Sequence, residues 1–174
     1  MRVYTLGLAL LVLVAPADAR LWKPTPQQLA MDYAAITHIK GTEGRVIVSW
    51  MAAPLVSGPT VQPLLDRYIV ISIMHARSGA GGVVTWDDIE GVQVTDGNGQ
   101  ALKEVTADAI PPSLVGLTAS ADASMRQSTQ GKGKLHWGIY EAGAVNACRP
   151  GKLVLAYDGE NYSWDTPMPG CPKN

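Results

Sequence analysis

Tyr68-Ile69-Val70-Ile71-Ser72-Ile73-Met74 is the segment on which the fold turns. Successive side chains of a strand point to opposite faces, so Ile69, Ile71 and Ile73 point one way and Tyr68, Val70 and Met74 the other. Apolar residues on both sides predict a strand central to its sheet and covered on much of both faces.

Upstream, residues 33–39 and 45–50 are β-prone and separated by Lys40-Gly41-Thr42-Glu43-Gly44, a polar five-residue loop with two glycines. Val46, Val48 and Trp50 share one face of the second segment. Pro54, Pro59 and Pro63 are expected to forbid regular structure until Leu64. Downstream, residues 78–82 read as a Gly-rich loop, followed by short strands at 83–86 and 92–95. Asp96-Gly97-Asn98-Gly99 then turns the chain towards Leu102.

Residues 106–133 are polar and rich in small side chains, with Pro111-Pro112 early and Gln130-Gly131-Lys132-Gly133 late. They predict a long loop holding at most a helical turn around 113–117. A loop of that length has a job or is mobile. Strand alternation resumes at 135–140, with Leu135, Trp137 and Ile139 on one face and His136, Gly138 and Tyr140 on the other.

Residues 153–157 and 162–164 flank Asp158-Gly159-Glu160-Asn161. A two-residue loop of Gly159 and Glu160 in a type II′ turn would place Asp158 opposite Asn161, Tyr157 opposite Tyr162 and Leu155 opposite Trp164. Extended outward, the same register places Cys148 opposite Cys171. About seven short strands, proline-rich connections and no βαβ alternation predict an all-β fold, an antiparallel two-layer sandwich, immunoglobulin-like in general plan. The two cysteines lie too close in the chain to be the inter-sheet pair of an antibody-type domain.

The N-terminus predicts export. Arg2, an apolar run from Leu6 to Val14, and Ala17-Asp18-Ala19 have the three-part layout of a signal peptide cleaved after Ala19. The run is shorter than the ~20 residues a membrane anchor needs, and no later segment reaches that length. The expected organisation is a signal peptide at 1–19, a lead segment at 20–32 and one sandwich domain at 33–174, with Thr25-Pro26-Gln27-Gln28 opening a short N-terminal helix as a capping box. Cys148 and Cys171, the chain's two cysteines, then read as one disulfide in the periplasm of a bacterium or outside the cell. A formal net charge of −1 disfavours a phosphate-tracking surface, so nucleic acid is not an expected partner.

No motif for catalysis stands out. Gly-x-Ser-x-Gly is absent, and pairing the thiols removes a cysteine nucleophile. Asp87 and Asp88, beside Trp86 and Glu90, form the densest acidic cluster, with no His near in sequence to partner them. The chain is expected not to be an enzyme. His75 beside Met74, with Met51 on a neighbouring strand, is a candidate soft-metal set for copper, although Met is also ordinary core filler. Asp96-Gly97-Asn98-Gly99 lacks the alternate acidic ligands and distal Glu of a calcium loop and reads better as a turn. Neither cofactor nor metal is expected.

Trp137, Tyr140, Tyr157, Tyr162 and Trp164 are concentrated in the last third of a chain that has no Phe. Their rings suit a sugar- or peptide-binding face, or the core. Leu155, Tyr157, Tyr162 and Trp164 share one hairpin face and should be buried or functional as a unit. The expected function is a non-catalytic exported module binding an unknown protein or envelope component, with a small-ligand or carbohydrate binder as the alternative. A secreted hydrolase using Asp87, Asp88 or His75 ranks third.

Overall fold

The computed structural model describes Thr25, Gln28 and residues 30–41, 44–56 and 58–171. The signal peptide expected at residues 1–19 lies outside them. Among the described residues, Ala35–Lys40 (β1), Gly44–Trp50 (β2), Tyr68–Ser78 (β3), Val84–Trp86 (β4) and His136–Glu141 (β6) form a five-stranded antiparallel sheet. Gln93–Asp96 (β5), Gly151–Tyr157 (β7) and Glu160–Thr166 (β8) form a three-stranded antiparallel sheet in the order β5-β7-β8. The molecule is mostly β, and the two sheets face each other across one core.

The quoted segment is central, as its apolar pattern requires. β3 pairs with β2 on one side; on the other it is shared end to end, Ala76 to Ser78 with β4 and Tyr68 to Ile73 with β6. Ile69, Ile71 and Ile73 point inward with Val46, Val48 and Trp50 to meet Leu153, Leu155, Tyr157, Tyr162 and Trp164 of the smaller sheet. Burying each of these large aliphatic side chains is worth about 1.5–3 kcal/mol. Trp50 and Trp164 join the layers edge to face, with ring centroids 6.1 Å apart, and the Trp164 indole donates to the Ala34 carbonyl at 3.1 Å.

The outer face of β3 is covered by an element the sequence reading missed. Residues expected to be a long loop contain a 17-residue helix, Pro112–Ser128. A shorter helix precedes it at Gln62–Leu65, so the two are α1 and α2. Leu114 of α2 is fully buried against Val70 and Ile139, with Leu65 and Ala53 beside them. Pro112 opens α2 and Pro63 lies in the first turn of α1, positions where a missing N–H costs nothing. The prolines of 54–63 therefore admit a 3-10 turn at Ala53–Leu55 and α1, contrary to expectation.

Two further expectations need correction. The terminal hairpin turns on Asp158 and Gly159, with φ of 52° and 78°, the two positive values of a type I′ turn. Tyr157 thus pairs with Glu160, Leu155 with Tyr162 and Leu153 with Trp164. The shift equals two residues, one pleat period, so the shared face of Leu155, Tyr157, Tyr162 and Trp164 survives it. Secondly, β1 to β4 run consecutively in one sheet, whereas the immunoglobulin plan divides its first four strands between two sheets.

Cys148 and Cys171 form a disulfide, and no free cysteine is present among the described residues. It lies beyond the open end of the β7–β8 hairpin, off the ladder register, and the Met168 N–H donates to the Ala147 carbonyl beside it. At the N-terminal side, Thr25 and Gln28 make both reciprocal bonds of the expected capping box, N to Oε1 at 2.8 Å and N to Oγ1 at 3.3 Å. Among the described residues no helix is long and apolar enough to cross a membrane.

Candidate functional site

With Val46, Val48, Trp50 and the three isoleucines of β3 turned inward, alternation sends Arg45 and Ile47 of β2 and Met74, Ala76 and Ser78 of β3 outward. Pairing extends that outward row to Ile39 of β1, opposite Arg45, and to Trp86 and Val84 of β4, opposite Ala76 and Ser78. Helix α2 covers the Val70 end of this face and stops. Between its C-terminal end, at Thr129 and Lys132, and the loop before β4 lies an open groove of about 710 Å³.

The floor of the groove is apolar: Ile39, Ile47, Met74, Ala76, Val84 and the Trp86 ring. Ile39, Val83 and Val84 are 64%, 60% and 43% exposed, three of the five large apolar side chains that stand in solvent among the described residues. The charged lining residues are Arg45 and Lys132, both cationic, and neither makes an ion pair among the described residues. The Trp86 indole N–H is buried and has no acceptor there. An open apolar groove of this size, with few polar groups, has the make-up of a ligand site.

A second cluster sits at the same end of the sandwich, on the inner side of the sheet. His75 continues the inward row of β3 and is buried, with Nδ1 3.0 Å from the Tyr157 hydroxyl and 3.4 Å from Asp87 Oδ2. Arg77 Nε donates to the same carboxylate oxygen at 2.5 Å. Lys40 Nζ donates to both the carbonyl and the carboxylate of Asp158, and this bond holds the Asp158 carboxyl below its usual range. Burial raises the Tyr157 hydroxyl pKa, helped by the Asp158 and Asp87 charges.

Reading along the chain missed the His75–Asp87 contact because they are twelve positions apart. It follows from the β3–β4 hairpin, in which the Asp87 N–H donates to the His75 carbonyl. The cluster is an acid–base pair without a nucleophilic serine, threonine or cysteine among its contacts. Asp87 and Asp158 neutralise Arg77 and Lys40, and together they lash β1, β3, β4 and β7 at one rim.

The sequence-derived candidates are scattered. Tyr140, Tyr157, Tyr162 and Trp164 are buried between the sheets. Trp137 is on the opposite face of the larger sheet, under α2, where its indole donates to Asp122 at 3.0 Å. The copper set is not assembled: His75 points inward, Met74 lines the outer groove, and Met51 packs with the cluster around Val70. Among the described residues no three His, Cys, Asp or Glu side chains gather as metal ligands. Asp88 pairs instead with Lys134, which lowers its pKa. Asp96 spends a carboxylate oxygen on the Asn98 and Gln100 N–H groups, as a turn residue does. No protein-family model matches the chain, and no curated protein or solved structure matches it.

Proposed function

We propose that this chain is a non-catalytic binding module exported to an oxidising compartment, the bacterial periplasm or cell exterior, and that it engages its partner through the outer groove of the larger sheet. The observation that carries the reading is the groove itself: an uncovered apolar half of a sheet face whose other half needs a helix to shield it. Leaving Ile39, Val83 and Val84 in water forgoes burial worth about 1.5–3 kcal/mol for each, which a bound partner would recover. The Cys148–Cys171 disulfide and the leader-like residues 1–19 support export.

The carbohydrate-platform alternative loses ground to the groove, because four of its five aromatics are enclosed between the sheets. Hydrolase and copper readings lack an assembled nucleophile or ligand set among the described residues.

Site-specific photo-crosslinking in the producing cell tests the proposal. A photoreactive residue at Val83 should give a discrete adduct, while one at Val115, another exposed apolar position, on α2, should not. Equal labelling at both positions, or none at Val83, would refute the groove as the contact surface.

A further inference from the structure

We propose that the groove takes a single free long-chain carboxylate, its hydrocarbon tail along the sheet and its head at the Arg45 and Lys132 rim; this rests on the groove being the binding surface. Two observations choose this occupant. The first is polar accounting. The central floor strands, β2 and β3, are each hydrogen-bonded on both sides, so their backbone groups are already used. A peptide lying on them would bring an N–H and a C=O for every residue, and each pair left dry and unpartnered would weaken binding. A hydrocarbon chain brings none.

The second is charge. The chain has a formal net charge of −1, yet both charged side chains lining the groove are cations without an ion-pair partner among the described residues. An anionic head is therefore favoured over a neutral or cationic one. A hollow of about 710 Å³ accommodates one such chain and leaves the adjacent rim open to water, where a carboxylate keeps part of its hydration.

The test uses purified protein lacking only its leader, with its disulfide intact. Radiolabelled laurate below its micelle concentration is measured by equilibrium dialysis beside dodecanol, dodecyltrimethylammonium and phosphatidylglycerol vesicles. One laurate should bind per chain, at least tenfold tighter than dodecanol, with no uptake of the ammonium. The double variant Arg45→Glu/Lys132→Glu should lose about tenfold in laurate affinity while its dodecanol affinity and melting temperature stay within error.

Equal affinity for laurate and dodecanol, or an unaffected double variant, overturns the role of the rim cations and with it the proposal. Capture by vesicles without monomeric laurate binding overturns it in favour of a membrane surface. No laurate binding despite a Val83 adduct to a protein overturns this inference and leaves the binding-module reading standing. Absence of both sinks the two together.

Discussion

Replacing Trp164 by alanine is the sharpest test of how the terminal hairpin is used. Trp164 is 4% exposed, stacked edge-on against Trp50 of the facing sheet and hydrogen-bonded to the Ala34 carbonyl. Truncation removes a side chain of the class that buries roughly 150–250 Å². At about 25 cal/mol per Å², that is of order 4–6 kcal/mol before the retained Cβ and partial collapse are allowed for. The measured range for deleting a buried large aromatic, about 3–5 kcal/mol, is therefore the expectation. In a domain of this size it should lower the melting temperature by about 6–20 °C. Differential scanning calorimetry of wild type, Trp164→Ala and Trp164→Phe would measure it. Phenylalanine keeps most of the ring but strands the Ala34 carbonyl, and should cost about 1–2 kcal/mol. An alanine variant melting within 2 °C of wild type would mean that Trp164 is presented to a ligand and that the core assignment is wrong.

Other perturbations probe the turn, the core and the crosslink. Gly159→Ala puts a Cβ at φ 78° and should destabilise by about 1–2 kcal/mol in urea unfolding; an unchanged midpoint would contradict the positive φ of this turn. Burial, assisted by Glu104, pushes the Tyr140 hydroxyl up to about 12. Its contribution is complete below the unfolded value of ~10 and is lost as pH rises towards 12, with a slope of up to about 1.4 kcal/mol per pH unit. Tyr140→Phe should flatten that alkaline limb, and a limb unchanged in the variant would contradict the assignment. Reducing Cys148–Cys171, which closes a loop of sequence separation 23, should cost about 3 kcal/mol in chemical denaturation.

The strand pattern was legible where alternation meets a face buried on both sides. Ile69, Ile71 and Ile73 announce the inner face of β3, and Val70 announces a second cover that turns out to be α2. Helix α2 itself was illegible because it is rich in Ala, Ser, Gly and Thr and buries one residue completely, Leu114, so no strong apolar stripe of helical period shows. Pro112 is the available start signal, but Pro111-Pro112 also suits a loop. The hairpin register slipped because both Asp158-Gly159 and Gly159-Glu160 are acceptable turn centres, and their difference is invisible to face periodicity. The groove and the His75–Asp87 contact were hidden because β3 was expected to end at Met74. Its extension to Ser78 carries Ala76 onto the outer floor and brings His75 beside β4.

The disulfide also decides what happens when the molecule is stretched. The β7–β8 hairpin lies wholly between Cys148 and Cys171 and supplies two of the three strands of the smaller sheet. Tension applied at the C-terminal end passes through the sulfur bridge to Cys148 and bypasses the hairpin. About 80 Å of contour length is thereby withheld from extension. The load then falls on the segment leading back from Cys148 to β6, so the larger sheet would be pulled from its β6 edge while β7 and β8 remain paired. Under such a load this half of the core stays closed for as long as the bridge stays oxidised.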